Sequence, residues 1–149
     1  MAGKSVLMIL TSHDRVDDEH QTGVWFDEFA APYQLFNQAG YEVTVASTKG
    51  GRVPIDPQSA PENPSPDERE SLQTLEHTLP LAEVEGDFDA VFFPGGHGTM
   101  YDFPENPYVT EWVERLARDD KVIGAVCHGP AALVGPQRAD GTPFVSGRR

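Results

Sequence analysis

The chain has 149 residues, 38% of them hydrophobic, with 24 acidic side chains against 11 basic ones and a formal charge of -13. That length suits one domain with a sizeable core, and the apolar content excludes a disordered chain. A surface this acidic argues against nucleic acid or an anionic membrane as partner, and no apolar run reaches the roughly 18–20 residues of a membrane span.

"SVLMIL", Ser5 to Leu10, is an unbroken apolar run, as expected of a strand buried on both faces. It is too short for a signal-peptide core, and charge rather than a small-residue cleavage site follows it. "TSHDRVDDEHQTG" then reads as a loop. Trp25, Phe29, Tyr33 and Phe36 fall at helical spacing, but Pro32 interrupts the pattern. The prediction is a short turn, then a helix from about Pro32 to Ala39 closed by Gly40, with Glu28 just before it.

"YEVTVAS", Tyr41 to Ser47, is β-branched and predicts the second strand. Residues 50–80 form an irregular proline-rich insertion with a short helix. Ser65 and Glu68 make a capping-box pattern, Pro66 is the first helical residue, and Leu72, Leu75 and Leu79 mark a helix face. "FDAVFF", Phe88 to Phe93, is the third strand and runs straight into "PGGHG". Asn106-Pro107 opens a helix with Val109, Trp112, Val113 and Leu116 on one side. "KVIGAV" is the fourth strand, and "GPAALV" starts a further helix.

Strands alternating with helices predict an α/β fold with a parallel sheet, whose ligands bind beyond the carboxyl ends of the strands. "HDRVDDEHQTG", "PGGHG" and "CHGP" all fall there.

Cys127 is the only cysteine, so no internal disulfide forms, which suits a reducing cytoplasm. On a tight turn between Val126 and Pro130 its thiol stands at the amino end of the next helix, where partial positive charge favours a thiolate. The alternative is a small buried hydrophobe. His128 adds an ionisable group one residue on, and the turn decides whether it meets the sulfur. In "PGGHG", Gly96, His97 and Gly98 are either a plain turn or a set of backbone donors for an oxyanion. Glu28 is either a solvated carboxylate or one packed against the thiol as acid or base. His13, His20 and His77 lie in polar surroundings and read as surface residues. Cys127, His97, His128 and Glu28 together are a conceivable zinc set, but their spacing matches no familiar zinc pattern.

"TGVWFDEFAAPY", "GYEVTVAS", "AVFFPGGHGTMYDFPEN" and "VIGAVCHGPAALV" resemble, in this order, segments of the DJ-1/PfpI superfamily, and more closely its Hsp31-like, glyoxalase III branch. The likeness runs from Lys4 to the last residue and makes the chain a single DJ-1/PfpI-like domain over residues 1–149. It implies a flavodoxin-like three-layer sandwich with a mainly parallel sheet and Cys127 on a nucleophile elbow after the fourth strand. It implies that Glu28 contacts the cysteine, that His128 is an acid/base, and that Gly96, His97 and Gly98 bind an oxyanion or the substrate. The implied activity is a glutathione-independent glyoxalase, a lyase of the D-lactate dehydratase class that turns methylglyoxal into lactate. No cofactor and no metal are implied, and the expected assembly is a cytoplasmic homodimer. Alternatives within the resemblance are a stress-response chaperone, a redox sensor using the same cysteine, and a PfpI-like amidase or peptidase. Class I glutamine amidotransferases share the fold, but their histidine comes late in the chain, which "CHGP" disfavours. The family pattern continues through a "G…VTGFT…E" segment carrying an acidic partner for the histidine. This chain ends at "FVSGRR", so the C-terminal part of the usual domain, with an unpaired sheet edge in its place, is expected to be missing.

Overall fold

The computed structural model describes residues 3–148. Its elements are β1 (Ser5–Leu10), α1 (Phe26–Gln38), β2 (Glu42–Ser47), α2 (Pro66–Glu76), β3 (Leu79–Pro80), β4 (Ala90–Phe93), α3 (Thr99–Asp102), α4 (Pro107–Arg118) and β5 (Val122–Ala125). Two 3-10 turns, Leu81–Glu83 and Gly129–Leu133, complete them. The five strands form one parallel sheet in the order β3-β2-β1-β4-β5.

β1 is central, and its side chains feed two cores in alternation. Leu7 and Ile9 join Val91, Phe93, Val109, Trp112 and Val113 on one face. Val6, Met8 and Leu10 join Phe26, Phe29 and Leu75 on the other. Both faces are therefore covered by helices, which explains why "SVLMIL" has no polar alternation. α4 shows the local logic most plainly. Asn106 accepts from the Tyr108 and Val109 amides at 3.0 and 3.3 Å, Pro107 occupies the first helical position, and the buried face is the expected quartet. The capping box at Ser65 and Glu68 also forms.

Three details differ from the sequence reading. α1 begins at Phe26 rather than near Pro32, and it carries Pro32 inside it. Pro32 has no amide to offer the Glu28 carbonyl four residues back. Full burial of Phe26 and Phe29 against the sheet outweighs that lost hydrogen bond, each aromatic contributing about 1.5–3 kcal/mol. Glu28 consequently lies in the first turn of the helix, not ahead of it. Leu79 leaves the α2 face and pairs with Ala46 in the edge strand β3, where it is exposed. The segment behind Cys127 is a five-residue 3-10 turn, not an α-helix. A single such turn supplies little of the aligned dipole expected of a helix at this point.

Residues 50–80 return to the body at several points. Val24 bridges Ile55, Gly51 bridges Thr78, and the Val53 amide donates to the Leu75 carbonyl at 2.8 Å. On the opposite side β5 pairs only with β4 among the described residues, and its Val122 is 67% exposed.

Candidate active site

β1, β4 and β5 run parallel in register, so the segments that follow them emerge at one end of the sheet. Cys127 sits two residues past β5 with φ of +56°, one of two non-glycine residues in the left-handed region among those described. For an L-residue that conformation costs about 1–2 kcal/mol, so the surroundings must impose it. The Val126 amide donates to the Phe93 carbonyl at 3.2 Å, and the Gly129 amide closes the turn onto the Val126 carbonyl at 2.7 Å. Gly129 is required here, because a Cβ would collide with that same Phe93 carbonyl. The thiol at the top of this turn is exposed. The buried-hydrophobe alternative is therefore excluded.

His128 folds back onto its neighbour. Its Nδ1 lies 3.3 Å from Cys127 Sγ. Its ring also meets His97, with ring centroids 4.4 Å apart and planes inclined by 37°. "PGGHG" thereby presents one imidazole against the other.

Gly95, which carries no signal of its own in the sequence, joins all the parts. The Trp25 amide donates to its carbonyl at 3.2 Å, and its own amide donates to Glu28 Oε1 at 3.0 Å. A Cβ at residue 95 would lie 2.6 Å from Glu28 Oε1, 2.7 Å from Cys127 Cβ and 2.9 Å from the His128 nitrogen. Only a missing side chain lets the start of α1, the β4 loop and the cysteine turn converge this closely. Glu28 is half-buried, and its hydrogen bond goes to the Gly95 amide rather than to the sulfur. Gly96 and Gly98 are buried and His97 is exposed. The amides of Gly96, His97 and His128 have no protein acceptor among the described residues.

His13 is not the plain surface residue expected. Its ring stacks on Tyr101 at 4.4 Å and 11°, and its carbonyl would stand 2.5 Å from a Cβ on Gly98. It thus flanks the "PGGHG" loop, a placement with no signal in its polar sequence neighbourhood. His20 and His77 are exposed, His20 paired with Asp17 at 2.7 Å. Among the described residues no group of three or more histidine, cysteine or carboxylate side chains is arranged to hold a metal ion. No helix among them is long and apolar enough to cross a membrane.

A parallel α/β sheet with a lone cysteine on a strained turn, a histidine on its sulfur and a glutamate held beside it defines a cysteine-elbow protein. The chain belongs to the DJ-1/PfpI family, whose sequence pattern matches residues 20–143. It is 31% identical to the glutathione-independent glyoxalase HSP31 of Saccharomyces cerevisiae, across 99% of this chain and 68% of that protein. The crystal structure of glyoxalase III from Candida albicans superposes with a TM-score of 0.83 at 27% identity, covering 95% of this chain and 64% of that one. The Rapid Encystment Protein of 24 kDa from Francisella tularensis matches at a TM-score of 0.87 and 33% identity, over 95% of this chain and 66% of that one. The flavodoxin-like sandwich is shared, and the chain spans about two thirds of the length of these relatives.

Proposed function

We propose that the chain is a glutathione-independent glyoxalase that converts methylglyoxal or a related 2-oxoaldehyde into the 2-hydroxy acid. The observation that carries this reading is the convergence of Cys127, His128 and Glu28 around Gly95. The relatives named as glyoxalases support it.

In this reading the Cys127 sulfur adds to the aldehyde carbon, forming a C–S bond, while the proton leaving the thiol passes through His128 to the new alkoxide. The product is a hemithioacetal. Its C–H proton then moves to the adjacent carbonyl carbon by way of Glu28 or His128 and an enediol. The first carbon is oxidised to a thioester and the second reduced to an alcohol, so the balance needs no outside oxidant. Water cleaves the thioester, freeing the hydroxy acid and restoring the thiol. Backbone amides of Gly96, His97 and Gly98 are the donors assigned to the developing oxyanion. A cytoplasmic homodimer belongs to the same reading, and light scattering of the purified protein tests the assembly.

The experiment is consumption of methylglyoxal without glutathione, with lactate followed as product. Exposure of Cys127 favours one further reading, a stress-response redox sensor in which the sulfur is oxidised to sulfinic acid. A protein inert toward methylglyoxal whose Cys127 gains two or three oxygens under mild peroxide would establish that reading instead.

A further inference from the structure

The 95–98 loop and the cysteine turn come from different strands, and one fully buried hydroxyl lies between them. Thr99, the first residue of α3, has no solvent exposure. Its Oγ1 lies 2.9 Å from the Gly96 carbonyl and 2.9 Å from the His128 carbonyl. A hydroxyl has one proton, so it donates to one of these oxygens at a time while spanning both. Each carbonyl has a second donor: the Thr99 amide reaches Gly96 at 3.2 Å, and the Ala131 amide reaches His128 at 3.0 Å. The hydroxyl is therefore not needed to satisfy either backbone oxygen.

What it adds is a cross-link. α3 is fixed at its other end by Asp102, whose carboxylate accepts from Thr11 Oγ1 at 2.8 Å, the Ser12 amide at 2.8 Å and Thr48 Oγ1 at 2.6 Å. These partners stand just past β1 and β2, so α3 is tied to the sheet as well as to the cysteine turn. We propose that Thr99 is a positioning residue, whose hydroxyl holds the His128 backbone, and with it the imidazole on the sulfur, in register with the donors of the 95–98 loop. This rests on the glyoxalase reading only for its effect on turnover. Its effect on the thiol itself stands apart from any substrate.

The test compares Thr99→Val, which keeps the shape and deletes the donor, with Thr99→Ser, which keeps the donor. Both variants leave Gly96 and His128 with an amide partner, so both fold, and a melting curve checks it. The readouts are the second-order rate constant for iodoacetamide alkylation of Cys127 at neutral pH and the kcat and KM for methylglyoxal. Alkylation is compared at a temperature where the melting curves show every variant folded, so no unfolded thiol contributes to the rate constant. Thr99→Val is expected to slow alkylation and to lower kcat, each by about tenfold with KM unchanged, since small misplacements of reacting groups have effects of this order. Thr99→Ser is expected to stay within about twofold of the unsubstituted protein on the same argument. If the unsubstituted protein shows no turnover, the glyoxalase reading fails while slower alkylation in Thr99→Val still supports the positioning role. An unchanged alkylation constant in Thr99→Val, or an equal loss in Thr99→Ser, overturns it.

Discussion

Cys127 Sγ and His128 Nδ1 stand 3.3 Å apart although their residues are adjacent in the chain. In an extended strand, consecutive side chains point to opposite faces. The left-handed φ of +56° at Cys127 breaks that alternation and brings the imidazole onto the sulfur. The backbone strain is thus tied to this contact, because relaxing the turn would separate the two groups.

Glu28 touches the loop through an oxygen that Gln also possesses. Glu28→Gln therefore keeps an acceptor for the Gly95 amide while removing the charge and the ability to gain and lose a proton. Turnover of methylglyoxal is expected to fall about a hundredfold, the scale of general acid–base assistance, while the melting temperature stays close to the starting value. Steady-state kinetics beside a thermal melt measures both. Retained turnover would remove Glu28 from the proton path.

Gly95→Ala puts a methyl group where Glu28, Cys127 and His128 meet. Its Cβ would press on Glu28 Oε1 at 2.6 Å and Cys127 Cβ at 2.7 Å, and backbone lies behind it at 2.9 Å. Overpacking of this kind destabilises by about 1–3 kcal/mol, and the displaced groups are the ones the proposed chemistry uses. Urea unfolding should show the loss, and iodoacetamide should alkylate Cys127 at an altered rate. Gly51→Ala, where a Cβ meets nothing within 4 Å, is the comparison: it carries only the strain of φ +72° and leaves alkylation unaltered.

The cap of α4 is testable separately from the site. Asn106→Ala removes the acceptor for the Tyr108 and Val109 amides and should lower stability by about 1 kcal/mol, read from the midpoint of a urea titration.

Asp89 gives the fold a pH dependence of known sign. The hydrogen bond from the Ser5 amide, at 2.9 Å, holds its carboxyl below the ordinary aspartate range, helped by the charges of Lys4 and Lys121. A carboxylate with a depressed value stabilises the fold above the unfolded aspartate value, about pH 4, and loses that contribution as pH falls through the folded value. Asp89→Asn is therefore expected to melt lower than the unsubstituted protein at pH 7, with the gap closing in the acid range. Thermal melts at a series of pH values follow it. A gap that does not change with pH would contradict the assignment.

β1, β2, β4, β5 and α4 were legible because burial within the sheet and a proline-led cap leave direct marks in sequence, whereas the two-residue β3 leaves none. Cys127, His128 and the "PGGHG" loop were legible because glycine and proline punctuate them. α1 was misplaced because Pro32 carries a strong local signal, whereas the burial of Phe26 and Phe29 that overrides it is tertiary. Gly95 and Thr99 were missed for a related reason. Each acts across a long sequence separation, on Glu28 or on His128, and neither residue type announces a partner 29 or more positions away. His13 likewise gains its place only from Tyr101, which the fold stacks on it.

In the proposed chemistry, turnover passes through a covalent bond to the Cys127 sulfur. Methylglyoxal consumption by Cys127→Ser in the absence of glutathione is the decisive assay. Lactate is expected from the unsubstituted protein and none above background from the serine variant. Full turnover by the serine variant would rule out the covalent bond.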